Sequence, residues 1–368
     1  MISRTALFDH FYLKGTDYEA GQAQAEYLKK YPQFIKGILA ARTPDNQLKK
    51  SVELFDQFCP GLNEEIQGFA DTLGVKNNQL KFHQYTSLHP SCSQLLVIPS
   101  KTQDNHTYAA TNYDFTERLA DRRVCTTHIK GKHKHIGSSE LFFGRNQGMN
   151  DHHLTITFSS AGMPVSAAIP YMRKPKVTGL QYWAVVRTLL EQCKTVDQAL
   201  SLASEMPIAH NVNFIIADKK HAALYETYDG HHSSKNIENS FGATNHLLLP
   251  ELQPLEPTAA MHSIVRYTAI QKLLQQPTIT KQEIKELFST RYPNGLCLHY
   301  FPWDFGTVYS LLFDITAKTA EICFGPPSVN SWHTFDLTQK DYQLFKVKIP
   351  LETTEKKIFA QQPIQAQL

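Results

Sequence analysis

The chain has 368 residues, of which 42% are hydrophobic, 19% charged and 11% aromatic, a globular balance with enough apolar material for one large core or two ordinary domains. Lys and Arg number 37 against 34 Asp and Glu, and the formal charge of +3 is too small an excess for the basic field that nucleic-acid binding needs. No apolar run reaches the roughly 18–20 residues of a membrane-spanning helix, and Met1 to His10 lacks the apolar stretch and small-residue cleavage site of a secretory signal. The expectation is a cytoplasmic protein with no nucleic-acid or membrane partner, and a homo-oligomer is compatible with the sequence.

In chain order, Tyr18 to Leu80 carries helical periodicity. A run from Tyr18 reaches Ile38 and Leu39, a second places Val52, Leu54, Phe55 and Phe58 on one face, and a third opens at Pro60 with Leu62, Ile66, Phe69 and Leu73, closed by Gly74 as a C-cap. Residues 1–91 therefore read as a helical N-terminal segment and 92–368 as the core with a C-terminal extension. From Cys92 the pattern turns to short β-rich runs: Ser93 to Pro99, Tyr108 to Thr111, Val124 to Ile129, Glu140 to Gly144 and Leu154 to Ser160. Helical period returns at Tyr182 to Glu191 and Thr195 to Ser204, then strands at Val212 to Ala217 and Ala222 to Tyr228. Helices at His262 to Leu274 and Lys281 to Phe288 precede strands at Val308 to Asp314 and Thr319 to Phe324, while the tail after Asp336 carries no assignment. This alternation, without repeat or linker, predicts an α+β sandwich.

The six cysteines, Cys59, Cys92, Cys125, Cys193, Cys297 and Cys323, show no short spacing, which argues against a zinc ribbon or a disulfide framework. Cys92 differs in position: it opens a strand directly after Pro90-Ser91. If that strand pairs with the one ending Asn112-Tyr113-Asp114-Phe115, an amide and a carboxylate return beside the thiol. The plain alternative is a small buried hydrophobe next to a turn.

The neighbouring segments add to the first reading. Gly15-Thr16-Asp17-Tyr18-Glu19-Ala20-Gly21, Pro60-Gly61-Leu62-Asn63-Glu64-Glu65-Ile66-Gln67-Gly68-Phe69-Ala70, Asn112-Tyr113-Asp114-Phe115, Gly148-Met149-Asn150, Thr244-Asn245-His246 and Ser263 to Arg266 occur in that order. Together they resemble the motifs of the N-terminal-nucleophile (Ntn) hydrolases of the linear-amide type, the superfamily of choloylglycine hydrolases and penicillin (isopenicillin N) acyltransferase-like autoproteolytic enzymes. The likeness runs from about Gly15 to about Phe324.

The resemblance implies a four-layer αββα fold and self-cleavage between Ser91 and Cys92. Cys92 then acts as nucleophile on an N-acyl amide through a thioester, and no cofactor or metal is implied. An α-amine has a reference pKa of about 7.7–8.0, so the freed residue supplies both the attacking sulfur and its base. Asp114 is implied as the amine's or thiolate's partner and Asn245 as an oxyanion donor, with Asn112, Tyr113, Asn150, Ser159 and Arg266 supporting the site or the substrate. Ser91 stands where the acyltransferase-like relatives carry glycine, Thr111 where bile-salt hydrolases carry arginine, and Ser159 where an asparagine is common. Two alternatives stay open: an unprocessed, non-catalytic binding protein, and a cysteine amidase that keeps its chain intact and uses His83 or His89 as base.

Two other features compete for attention. The pairs His133/His135, His152/His153 and His231/His232 invite a metal reading, but in sequence no carboxylate or cysteine is spaced to complete a site, so they read as surface loops with Gly131-Lys132-His133-Lys134 as a hairpin tip. Arg118, Arg122, Arg123, Lys130, Lys132 and Lys134 form a basic stretch, read as a solvated hairpin.

Overall fold

A computed structural model of the protein describes residues 2–31, 35, 39, 43–80, 90–118, 120–162, 177–352 and 363–365. The chain opens with a strand that helical periodicity does not announce: β1 (Ser3–Gly15) leads into α1 (Asp17–Lys29), which starts where the Thr16 hydroxyl accepts from the Glu19 N–H and the Glu19 carboxylate returns the bond. Helices α2 (Asp45–Phe58) and α3 (Leu62–Leu73) follow, and α3 ends at Gly74 in the left-handed conformation expected of a C-cap. Residues 1–91 are thus not wholly helical. Much of the stretch towards Ile38, with His83 and His89, lies outside the described residues.

The core follows as β2 (Ser93–Val97), β3 (Tyr108–Phe115), β4 (Arg123–Ile129), β5 (His135–Glu140), β6 (Gly144–Asn150) and β7 (Thr155–Ser160). Helices α4 (Tyr182–Gln192) and α5 (Val196–Glu205) come next, then β8 (Val212–Ala217), β9 (Ala222–Tyr228), β10 (His231–Asn236), β11 (Phe241–Ala243) and β12 (Thr258–Ala260). Helices α6 (Met261–Leu274) and α7 (Lys281–Ser289) precede β13 (His299–Tyr300), β14 (Phe305–Asp314), β15 (Thr319–Phe324), β16 (Trp332–Asp336) and β17 (Gln343–Pro350). The strand expected over Glu140 to Gly144 is instead the turn between β5 and β6, where Leu141 and Phe142 take positive φ values of 51° and 65°.

Two sheets result. The first has the order β10-β9-β8-β7-β6-β5-β4-β1-β17 and the second β11-β2-β3-β14-β15-β16, with β13 paired to β14. Helices α4 and α5 pack on the first sheet and α6 and α7 on the second, while β2 and β3 face β7 across the gap between the sheets. Gln94 crosses that gap, donating to Ser159 Oγ and the Asn213 carbonyl and accepting from Thr157. The layers therefore run helix, sheet, sheet, helix. No helix among the described residues is long and apolar enough to cross a membrane.

The N-terminal segment is built into this body. β1 lies between β4, to which it is parallel, and β17, to which it is antiparallel. Helices α1 and α3 cross so closely that a Cβ on Gly21 would stand 1.9 Å from the Glu65 carbonyl oxygen, and one on Gly68 would stand 2.2 Å from that of Tyr18. The glycines of the first two motifs are contact points between helices. At the same crossing Glu65 pairs with Arg187 of α4 and accepts from Gln24, while Arg187 also meets Glu191 at 2.9 Å and Asp17 at 3.3 Å, and Lys132 joins Asp17 at 2.6 Å and Glu191 at 2.9 Å.

The basic stretch is accordingly a solvated hairpin only in part: Arg118 and Lys130 are exposed, whereas others are drawn into the fold. Lys132 sits in this ion cluster, and Arg123 is 1% exposed, 4.3 Å from the centre of the Phe142 ring and 3.8 Å from Asp121. Arg187→Ala would leave three carboxylates without their shared cation, and is expected to lower the unfolding free energy in urea by about 3–5 kcal/mol, the cost typical of breaking one partner out of a buried ion pair.

Candidate active site

β2 and β3 form the anticipated hairpin, with Ser93 opposite Asn112 and the Ser91 N–H donating to the Asp114 carbonyl at 2.8 Å. This register sets Cys92 beside Asp114. Cys92 is fully buried, and burial pushes its thiol well above the ordinary value with the Asp114 carboxylate adding to the rise; the Asp114 backbone N–H and the Arg266 cation act the other way. Burial likewise raises Asp114 to about 7, although Arg266 and the Thr307 hydroxyl favour its charged form.

Arg266, on α6, ties the elements together. Its Nη1 donates to the Ser91 carbonyl at 3.2 Å, the Cys92 carbonyl at 2.9 Å and Ser93 Oγ at 2.7 Å, and stands 3.5 Å from Asp114 Oδ2. Its Nη2 donates to Asn245 Oδ1 at 2.6 Å and His262 Nδ1 at 2.9 Å, and its Nε to the His262 carbonyl at 3.2 Å. His262 is held neutral by burial and by the adjacent guanidinium, which lets its ring nitrogen accept. Ser263, one residue on, receives the Asn245 N–H at 2.7 Å and fixes the Thr244-Asn245-His246 turn after β11. The Asn245 amide then donates to the Ser160 carbonyl at 2.9 Å, leaving a second N–H on the same nitrogen.

The other expected residues divide by place. Asn112 ties β3 to its neighbours, donating to the Phe288 carbonyl and accepting from Ser310. Asn150 donates to the Leu190 and Cys193 carbonyls at the end of α4 and accepts from the His152 and Leu154 N–H groups, which is a scaffold role. Ser159 donates its hydroxyl hydrogen to the Thr244 carbonyl, so it supports the turn that carries Asn245 and has no hydrogen left for an oxyanion. Tyr113 donates to Glu140.

Sequence reading passed over Thr307. Thr307 donates to Asp114 Oδ1 at 2.6 Å while accepting from the Leu298 N–H; a threonine in a strand gives no signal of this from spacing alone. Away from the site, the expectation that no carboxylate completes a histidine group fails: Asp151, directly before His152 in the chain, joins His133 and His152, and the three bring one ligand atom each to within 4.8 Å of one another at the surface.

The site thus has a cysteine at the head of a strand in a helix–sheet–sheet–helix sandwich, flanked by an aspartate from the paired strand. The chain belongs to the acyl-coenzyme A:6-aminopenicillanic acid acyl-transferase family, whose model matches residues 101–329 and so takes in Asp114, Asn245 and Arg266 while beginning after Cys92. No curated protein matches the chain.

Among solved structures, a mutant of the conjugated bile acid hydrolase from Clostridium perfringens is similar at 10% identity, covering 72% of this chain and 99% of that one with a TM-score of 0.47. Penicillin V acylase from Agrobacterium tumefaciens is 14% identical over 67% of this chain and 87% of its own, at 0.42. The Caenorhabditis elegans ortholog of N-acylethanolamine-hydrolyzing acid amidase is 14% identical over 61% and 93%, at 0.39. Scores this low carry no weight for the site.

The hydrogen bond from Thr307 stabilises the Asp114 carboxylate, so removing it favours the protonated form. In Thr307→Val, a carboxyl-carbon NMR titration is expected to find Asp114 above its present value of about 7; an unchanged or lower midpoint would show that the contact does not control it.

Proposed function

We propose that the protein is a cysteine amidohydrolase or acyltransferase acting on a small-molecule N-acyl amide, with Cys92 as a nucleophile freed by self-cleavage of the Ser91–Cys92 bond. The observation that carries this reading is the grip of Arg266 on the Ser91 carbonyl oxygen, directly beside the Cys92 thiol. Attack of Sγ on the Ser91 carbonyl carbon moves negative charge onto that oxygen, where the guanidinium is already aimed. Asp114, whose affinity for protons lies close to neutral, accepts the thiol proton. Collapse breaks the C–N bond as the leaving nitrogen is protonated, giving a thioester and a free α-amine. Water then hydrolyses the thioester, leaving Ser91 with a carboxylate and Cys92 with its thiol and amine.

In turnover the same groups serve again. The α-amine takes the thiol proton, Asp114 holds the resulting ammonium, and the acyl group passes to sulfur and then to water or an amine. Asn245, oriented by Arg266 through its Oδ1, offers its remaining N–H to the oxyanion. All six cysteines are unpaired and buried, which agrees with a reducing compartment and supports a cytoplasmic setting.

Intact-mass measurement of purified protein should find fragments of 91 and 277 residues (368 − 91 = 277) that co-elute under native conditions, because β1 is an interior strand of the first sheet. Cys92→Ala should stay full length, and a single uncut wild-type species after prolonged incubation would sink the self-cleavage step. Asn245→Ala should process yet lose on the order of 10²–10³ in kcat on whichever amide a screen of N-acyl amino acids, penicillins and bile-salt conjugates identifies. Full turnover in that variant would remove Asn245 from the oxyanion site.

A further inference from the structure

Of the four histidines in the His133/His135 and His152/His153 pairs, two are engaged by backbone. His135, buried at the start of β5, donates its Nδ1–H to the His133 carbonyl at 3.3 Å, and His153 donates its Nδ1–H to the Ile315 carbonyl at 2.6 Å. His133 and His152 instead turn towards each other, with ring centres 4.4 Å apart and planes at 78°, and towards one carboxylate. Asp151 Oδ1 stands 3.9 Å from His133 Nδ1 and 3.8 Å from His152 Nε2. The backbone is fixed at all three residues. β5 and β6 pair His135 with Asn150, and the ladder runs on past the strand ends as the Asp151 N–H donates to the Lys134 carbonyl at 2.8 Å. The His133 N–H donates to the Glu191 carbonyl near the end of α4 at 3.0 Å, and the His152 N–H to Asn150 Oδ1 at 3.0 Å.

Asp151 Oδ1 is shielded from solvent, yet it has no hydrogen-bond partner among the described residues. Gaps of 3.8 and 3.9 Å are too long for the N–H···O bond that either imidazole could make to it, which spans about 2.7–3.2 Å. They are close to the spacing of ligands around one ion. With metal–ligand bonds of about 2.0–2.2 Å, two corners of a tetrahedron lie roughly 3.3 Å apart, so a side-chain rotation of about half an ångström closes the difference. The donor set also selects the ion: two imidazoles and a carboxylate suit zinc, copper and nickel, whereas calcium and magnesium take oxygen ligands. Charge points the same way. Lys318 donates to the Asp151 carbonyl at 2.7 Å and the field of Lys194 reaches His133, so a hard cation held by charge alone meets opposition and imidazole coordination has to carry the affinity. The C-terminal end of α4, to which His133 is tied, offsets part of that opposition.

We propose that His133, Asp151 and His152 bind a single divalent ion of the zinc, copper and nickel class, with water in the remaining position, and that the ion clips the β4–β5 hairpin to the turn between β6 and β7. The same hairpin carries Lys132 of the buried ion cluster, so the clip braces the anchorage of the N-terminal segment. The site is independent of the chemistry at Cys92.

The probe is cobalt(II), a spectroscopic substitute for zinc, titrated into the full chain with no histidine tag attached. Visible d–d bands that saturate at one ion per chain are expected, without the near-ultraviolet charge-transfer band that a thiolate ligand adds. Zinc should displace the cobalt, and calcium in about a hundredfold excess should not. Calorimetric titration with zinc then reads the ligands. His152→Gln, at an exposed position, is expected to weaken binding by at least about tenfold, since even the outer partners of a metal ligand are worth about 10–100-fold. Asp151→Asn keeps the shape, removes the charged oxygen and should do the same. His232→Gln, in the other exposed histidine pair, should leave the affinity unchanged. Absence of saturable binding, an affinity that survives both His152→Gln and Asp151→Asn, or a thiolate band placing the ion on a cysteine overturns the site. Displacement of cobalt by calcium overturns the class of ion.

Discussion

A fully buried guanidinium is the constraint on which the site depends. Arg266 cannot be hydrated, so each of its N–H directions has to end on an acceptor, and a nearby anion has to offset its charge. Those acceptors come from separate stretches of chain: the carbonyls of Ser91 and Cys92 at the head of β2, Asp114 at the end of β3, Asn245 in the turn after β11, and His262 one helical turn back. Any arrangement that satisfies them also brings together the thiol, the carboxylate and the amide. Burying one cation and assembling the proposed catalytic groups are here the same physical problem.

The consequence for proton chemistry follows from the same burial. With little water present, charge on Cys92 and charge on Asp114 both become costly, and the two oppose one another. Asp114 is moved to the neutral range, where a carboxyl exchanges a proton with a thiol or an amine at small cost. The Thr307 hydroxyl and Arg266 keep it from rising further, so its poise is a balance among three neighbours.

A second buried ion cluster does for the N-terminal segment what Arg266 does for the site. Asp17 from α1 and Glu65 from α3 meet Arg187 and Glu191 from α4 and Lys132 from the β4–β5 hairpin, so the charges interlock across residue 91. With β1 lying between β4 and β17, the segment holds its place by sheet hydrogen bonds as well. A cut at Ser91–Cys92 would thus change the chemistry of one residue without releasing the layer that covers the first sheet.

Much of the architecture was legible in the sequence because periodicity reports burial of one face: β8, β9 and β15 fall on the expected residues, and α4 to α7 within one or two of them. Local signals also served where the physics is local, as in the Gly74 cap and the turn at Gly131. The motif order marked Cys92, Asp114, Asn245 and Arg266, and the structure gathers these around one guanidinium. Other features were beyond a linear reading. β1 and β17 are assigned by the edges they fill, Arg123 and Lys132 are buried by distant carboxylates and rings, and Asn150 and Ser159 have their hydrogen bonds taken up by scaffold carbonyls. Sequence determined which residues have chemistry to offer and which faces must be covered, since both follow from side chains and their spacing. Only the tertiary structure decided which polar groups meet, because a hydrogen bond or an ion pair forms between atoms that the fold, and not the chain order, makes neighbours.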